Sequence, residues 1–364
     1  MIDASDSLQL SHIYLKNFRC FDQITIELNS SIVLICGSNG TGKTSLLEAL
    51  YYACYLRSFR THVVRDLIHL DKDAFFIKLV VQKAAIQHTI TIGCTNNKRL
   101  VKIDNKSTVS YKDLLCHYRI ISLTEDDLML IKGSPEDRRS FLDHVLLLEN
   151  HSFLSIMKEF RVILEHRNSL LQQHNIDPEL YFIWSKKLWE KTTIIQVLRK
   201  QILKDLEAEM NSMLTHCFGE GVTVSLSYNA KKNSDLDFDR FWLQQESLLK
   251  DELYFKRSLF GVHLDDFTIT LEGKKSRSFA SRGQQKMIVL LIKSAQIKQL
   301  MAKKESVIFL LDDFMTDFDL QRGSMLLSVL FDLKCQLIFT SPHQKSPLEE
   351  FMSSSGISFK KITI

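Results

Sequence analysis

Apolar and polar positions alternate from the beginning of the chain, with Ile13, Leu15 and Phe18 followed by Ile24, Ile26 and Leu28. A period of two predicts strands with one buried face. The run Ile32-Val33-Leu34-Ile35-Cys36 is continuously apolar and runs into a glycine-rich turn, as expected for a strand covered on both faces and followed by a helix. Alternation returns in Ile86 to Ile92 and around Leu100 to Ile103, with Asp104-Asn105-Lys106-Ser107 as a turn, which predicts a small antiparallel sheet.

The period then changes. Phe153, Ile156, Met157, Phe160, Ile163 and Leu164 fall at helical spacing, as do Ile195, Leu198, Ile202, Leu206, Met210 and Met213. Ser134-Pro135-Glu136-Asp137 combines a hydroxyl cap, proline at the first helical position and acids at the positive end of the dipole, so a helix is expected to begin there. Strands resume with Phe267, Ile269 and Leu271, then Val307 to Leu311, then Gln336 to Thr340. The expected organisation is one composite α/β lobe from residues 1–115 and 255–364, with a helical lobe, residues 116–254, inserted between its halves. No internal repeat or low-complexity linker interrupts it.

Composition narrows the partners. The 364 residues carry 47 Lys plus Arg against 43 Asp plus Glu, a net charge of +4, so any nucleic-acid surface must be a local patch. Cys20, Cys36, Cys54, Cys94, Cys116, Cys217 and Cys335 stand singly, with no C-x-x-C pair to suggest zinc or a disulfide framework. The N-terminus lacks the basic and apolar blocks of a signal peptide, and no apolar run approaches the ~20 residues of a membrane span, so a cytoplasmic protein without a membrane partner is expected.

Gly37-Ser38-Asn39-Gly40-Thr41-Gly42-Lys43-Thr44 matches G-x-x-x-x-G-K-[ST] between a buried strand and a helix that continues through Ser45. Such a loop turns backbone N–H groups toward phosphate oxygens; Lys43 would reach the terminal phosphates of ATP and the Thr44 hydroxyl would ligate Mg²⁺. Ile308-Phe309-Leu310-Leu311-Asp312-Asp313 is a buried strand that would deliver Asp312 to the same metal. Asp313 stands where a general base would orient the attacking water, and its short side chain predicts slow turnover. Between these lies Ser281-Arg282-Gly283-Gln284, at the start of a helical pattern, resembling the ABC signature S-G-G-Q. In that class the serine and glycine, here Ser281 and Gly283 with Gln284 beside them, bind the terminal phosphate of ATP held by a second subunit.

Four further segments resemble the RecF family, relatives of the SMC ATPase heads. Leu15-Lys16-Asn17-Phe18-Arg19 resembles L-x-N-F-R, and Arg57-Ser58-Phe59-Arg60-Thr61 resembles R-S-F-R-T. Gly133-Ser134-Pro135 through Arg138-Arg139 to Phe141-Leu142-Asp143 resembles G-S-P-x-x-R-R-x-F-L-D, and Gly261-Val262-His263 with Asp266 resembles G-P-H-x-x-D. The resemblance implies an α/β fold of the ABC-type P-loop ATPase head, a mixed β-sheet with helices and an inserted helical second lobe. It also implies an ATP-dependent homodimer that binds double-stranded DNA near gaps or single-strand junctions and helps load recombinase with RecO and RecR. The implied setting is replication, recombinational repair and the SOS response to DNA damage. About 240 residues between P-loop and signature are too few for the long coiled coils of SMC proteins. Val262 stands for the family's proline, Ala280 for its leucine, and Thr316-Asp317-Phe318-Asp319 for S-E-L-D.

Candidate phosphate contacts on DNA are Arg57, Arg60, Arg65, Lys98, Arg99, Lys102, Arg138 and Arg139. An ABC transporter subunit is the alternative, but it would need Glu after the aspartate strand and a switch histidine; Ser341 and Pro342 precede His343. A nuclease of the same superfamily would need an extra carboxylate-rich metal domain, for which the sequence after the last core strand leaves no room.

Overall fold

The computed structural model describes residues 8–83, 86–107, 114, 118–150, 152–219, 221–231, 237–243, 245–342 and 347–364. His343, Cys116 and the expected boundary at residues 115 and 116 lie outside these. The first third holds β1 (Leu8–Phe18), β2 (Phe21–Glu27), β3 (Ile32–Cys36), α1 (Lys43–Tyr55), β4 (Ala74–Lys83), β5 (Ile86–Thr95), β6 (Arg99–Ile103), β7 (Lys106–Ser107) and β8 (Arg119–Leu123). Next come α2 (Met129–Lys132), α3 (Pro135–Glu149), α4 (Phe153–Leu171), α5 (Pro178–Phe218), β9 (Val224–Asn229), α6 (Phe238–Leu243), α7 (Gln245–Phe255), β10 (Asp266–Leu271), β11 (Lys274–Lys275) and α8 (Ser276–Phe279). The chain closes with α9 (Arg282–Ala302), β12 (Val307–Leu311), α10 (Leu320–Phe331), β13 (Gln336–Ser341), α11 (Pro347–Ser354) and β14 (Lys360–Thr363). Two compact units result, one of Met1–Leu128, His216–Phe218 and Ser281–Ile364, the other of Met129–Thr215 and Gly219–Ala280.

The first unit contains two sheets. One is parallel, in the order β14-β3-β13-β12-β8, and its apolar strands are buried because both faces are covered. The other is antiparallel, in the order β2-β1-β4-β5-β6-β7, with Asp104 and Asn105 at positive φ of 49° and 65° in its last turn. Helix α1 packs on strands of both sheets: Tyr55 Oη donates to the Ile120 carbonyl at 2.7 Å, and the Tyr52 ring meets Phe75 edge-on at 5.5 Å. The buried Gln336 amide joins the sheets further, accepting from Leu10 N at 2.7 Å and donating to the Leu28 and Ser30 carbonyls at 2.8 and 2.9 Å. Every polar atom of that amide is thereby satisfied in the core.

The second unit is mainly helical, with α3 opened by the expected cap: the Asp137 carboxylate accepts from Ser134 N at 2.7 Å. It also holds a three-stranded antiparallel sheet, β11-β10-β9. The divisions therefore fall after Leu128 and before Ser281, not at 116 and 255. Strand β8 is drawn into the parallel sheet by its pairing with β12, and β10, expected in the α/β lobe, pairs instead with β9. Period-two patterning marks Phe267, Ile269 and Leu271 as a strand but carries no information about its partner. At this unit's centre Arg167, fully buried, forms a two-pronged ion pair with buried Glu252 (2.6 and 2.9 Å) and lies over the rings of Tyr181 and Phe260.

Candidate nucleotide site

The loop between β3 and α1 is shaped by close approach. Gly42 caps α1 at φ 102°, a left-handed conformation, and a Cβ there would meet Cys20 Sγ and the Phe21 ring at 2.5 and 2.6 Å. A Cβ on Gly37 would overlap the Ile364 carbonyl and the Thr41 hydroxyl. Lys43 is buried and donates to the carbonyls of Gly37 and Ser38, each at 2.8 Å, so its ammonium is held inside the loop's curve. Ser38, Asn39 and Gly40 are exposed at the rim, Thr41 is half-buried, and Ser45 is buried in the first turn of the helix.

The parallel sheet brings a second element to this loop. Thr44 Oγ1 donates to Asp312 Oδ2 at 2.8 Å, and Thr340 Oγ1, at the end of β13, donates to Asp312 Oδ1 at 2.6 Å. Asp313 follows at φ 45°, with its N–H donating to Thr340 Oγ1 at 2.9 Å and its carboxylate accepting from the Thr316 hydroxyl. A cavity of 620 Å³ opens here, lined by Asn39, Gly40, Gly42, Lys43, Thr44 and Ser45, by Asp312, Asp313, Thr340 and Pro342, and by Cys20 and Arg60 at its flanks.

Side chains assigned no role from the sequence form the remaining wall, although Arg282 lies within the signature segment and Asp317 within Thr316-Asp317-Phe318-Asp319. Arg282 donates from Nε to Asp317 Oδ1 at 2.8 Å and from Nη2 to Glu125 Oε1 at 2.5 Å, while Lys286 donates to Asp317 Oδ2 and to the Asp313 carbonyl at 2.8 and 2.9 Å. Burial acts to raise the Asp317 carboxyl, but the Lys286 hydrogen bond and charge, then Arg282, outweigh it and hold Asp317 below the usual carboxylate range. Asp317 reciprocally raises the Arg282 guanidinium. Ser281 caps α9, with Gln284 N donating to its hydroxyl at 3.3 Å and Gln284 Oε1 accepting from Ser281 N at 2.8 Å. Ser281, Gly283 and Gln284 do not line the cavity of their own P-loop, whereas Arg282 and Lys286 from the same helix do.

A model of the RecF/RecN/SMC N-terminal domain matches residues 9–363. The chain belongs to the RecF family. The "DNA replication and repair protein RecF" of Streptococcus pneumoniae is 30% identical over 88% of this chain and 89% of that one. Its namesake from Acholeplasma laidlawii is 29% identical over 88% and 90%. The solved "recombination mediator protein RecF-ATP in RecFOR pathway" superposes with a TM-score of 0.83 at 25% identity over 95% of each chain. The Smc head domain of Pyrococcus furiosus shares the fold, with a TM-score of 0.55 at 13% identity over 95% of this chain and 91% of that one. Among the described residues no helix is long and apolar enough to cross a membrane, and RecF membership separates the chain from transporter ATPases.

Several of the RecF-like segments lock onto one another. Glu48, fully buried in α1, accepts from Arg19 at 2.6 and 2.8 Å and from the Ser58 hydroxyl, so L-x-N-F-R and R-S-F-R-T converge on one carboxylate. In the second unit Arg138 pairs with Asp266 at 2.7 and 2.9 Å, Arg139 donates to the Asp265 carbonyl at 2.9 Å, and Arg199 bridges Asp143 and the Val262 carbonyl at 2.6 and 2.9 Å. His263, in the same segment, is held below the usual histidine range, chiefly by burial.

These contacts revise the candidate DNA residues. Arg138 is buried and committed to Asp266, so it is not a surface phosphate contact. Arg60 lies at the nucleotide cavity, 3.7 Å from Glu48. Arg99, although exposed, donates to the Leu56 carbonyl at the end of α1 at 2.9 Å, Arg65 donates to Lys72 O at 2.7 Å, and Arg57 donates to Tyr51 Oη at 3.5 Å. Lys98 is exposed and Lys102 half-buried on the antiparallel sheet.

Proposed function

We propose that this chain is an ATP-dependent DNA-binding protein of replication and recombinational repair, with slow, DNA-stimulated ATP hydrolysis coupled to formation of a homodimer. The observation that carries the proposal is the hydrogen bond between Thr44 and Asp312, two residues 268 positions apart that the parallel sheet brings together at the mouth of the P-loop. Both offer oxygen donors, the set that Mg²⁺ prefers, and they are already in contact, so they would hold that ion. When bound, magnesium neutralises charge on the terminal phosphate oxygens.

The chain's own residues do the remainder. Lys43, positioned by the Gly37 and Ser38 carbonyls, presents its charge to the terminal phosphates, and the α1 N-terminus adds its dipole. Asp313 orients the attacking water; its short carboxylate, engaged by Thr316, favours slow turnover. Ser281 and Arg282 are exposed, and Ser281, Gly283 and Gln284 stand outside their own chain's cavity, an arrangement that supports their use by a second copy carrying its own ATP. The relatives' names support replication and repair, and gapped duplex DNA, RecO and RecR are the proposed partners in a cytoplasmic setting.

ATP hydrolysis measured with and without gapped duplex DNA tests this. DNA-stimulated turnover that disappears in Lys43→Met is expected; turnover indifferent to Lys43 contradicts the assignment.

A further inference from the structure

The antiparallel sheet of the first unit has two unlike faces. Helix α1 covers one, packing on β1, β4 and β5. The other is set by register: Tyr14 pairs with Lys78, Lys78 with Thr91 and Thr91 with Lys102, while Lys16 pairs with Phe76, Phe76 with Gly93 and Gly93 with Leu100. Partners across a ladder point to the same side, so these form two adjacent rows, one carrying Lys78 and Lys102 and the other running from Lys16 over the apolar groups of Phe76, Gly93 and Leu100.

The floor is open. A groove of 450 Å³ runs over Lys16, Phe76, Gly93, Lys98 and Leu100, and Leu100 is 50% exposed. A Cβ on Gly93 would meet nothing within 4 Å, which leaves a dip between Phe76 and Leu100. The Tyr14 and Phe76 rings meet at 6.1 Å and 62°, so each steadies the other at the edge of the dip. Among the described residues no ion pair engages the ammonium groups of Lys16, Lys78, Lys98 or Lys102. The carboxylates within the sheet's strands, Asp22 and Glu27, are occupied by Lys72 at 3.8 Å and Lys360 at 2.9 Å. The face is therefore basic with an aromatic and aliphatic floor.

We infer that this face binds single-stranded nucleic acid, with a base lying over the Phe76–Gly93–Leu100 dip and the flanking phosphates on Lys16, Lys78, Lys98 and Lys102. Duplex DNA buries its base faces against one another and would leave the floor unsatisfied; a single strand alternates anionic phosphates with free π-faces, as the two rows require. The inference deepens the DNA-binding function proposed above and assigns the single-stranded side of a gap to a surface of its own.

Fluorescence anisotropy of labelled oligo-dT without ATP is the test, with Phe76→Ala, Phe76→Tyr and Lys78→Glu beside the wild type and ATP-dependent gapped-duplex binding measured in parallel. Loss of one stacked base predicts about tenfold weaker oligo-dT binding in Phe76→Ala, retention in Phe76→Tyr and a shallower salt dependence in Lys78→Glu, with ATP affinity unchanged. Equal oligo-dT affinity in the wild type and Phe76→Ala overturns the inference, as does a polyglutamate peptide that competes as well as oligo-dT. Intact ATP-dependent duplex binding without oligo-dT binding overturns this face alone; absence of all DNA binding overturns the proposed function with it.

Discussion

The Arg282 guanidinium donates to Asp317 at 2.8 Å, tying the first turn of the signature helix to the loop that follows the aspartate strand. Lys286, one turn further along, grips the other oxygen of the same carboxylate at 2.8 Å and the Asp313 backbone at 2.9 Å. Asp317→Ala would leave the nearly buried Lys286 ammonium without its counter-charge. The expected cost is about 1–3 kcal/mol of stability, with hydrolysis falling more than ATP affinity because Asp313 loses its support. Thermal melts and steady-state kinetics beside nucleotide titration would check this; a variant that hydrolyses normally contradicts it.

The same tether has a defined pH range. A carboxylate held below its ordinary 3.8 contributes stability that is fully present above that value and is lost only as pH falls through the lower folded value. Between about pH 5 and 9 the melting difference between wild type and Asp317→Asn should stay constant. A difference that changes across that range would mean another group controls the contact.

His263 behaves differently. Burial depresses its basicity from the ordinary 6.5, so the unfolded chain takes up the proton first and stability falls as pH drops below that value toward the folded one. Its Nδ1 finds no hydrogen-bond partner among the described residues, so charging it in place is costly. Melting of the wild type should therefore decline from pH 7 to about pH 5 more steeply than that of His263→Gln. Parallel declines would refute the assignment.

Arg138 should matter for folding, not for DNA. Its side chain is buried and doubly bonded to Asp266, so Arg138→Ala leaves a half-buried carboxylate unpaired and should destabilise the protein by about 2–3 kcal/mol. The folded fraction should keep wild-type DNA affinity and salt dependence. A shallower salt slope at unchanged stability would restore Arg138 to the DNA surface.

What the sequence made legible follows from how locally each feature is encoded. Gly37 to Thr44 is one contiguous loop whose residue types are dictated by backbone approach, and it reads directly. The partner of Arg138 lies 128 residues away, so a basic residue that looks like a phosphate contact becomes structural only once the chain has folded; the pairing of Arg282 with Glu125, 157 residues away, is equally absent from any local pattern. Arg99 and Leu100 are neighbours on opposite faces of β6; the alternation shows that they differ, but not which face α1 will cover. The strand at Phe267 to Leu271 was visible for the same reason that its sheet was not.

Sedimentation of the protein with ATP, comparing the wild type with Lys43→Met and Ser281→Arg, tests most directly whether two copies share their nucleotides. An ATP-dependent dimer in the wild type, lost in both variants, with tighter DNA binding in the dimer, is the expected result. A monomer under every condition, or a dimer unaffected by Ser281→Arg, would contradict it and leave Ser281 as no more than the cap of α9.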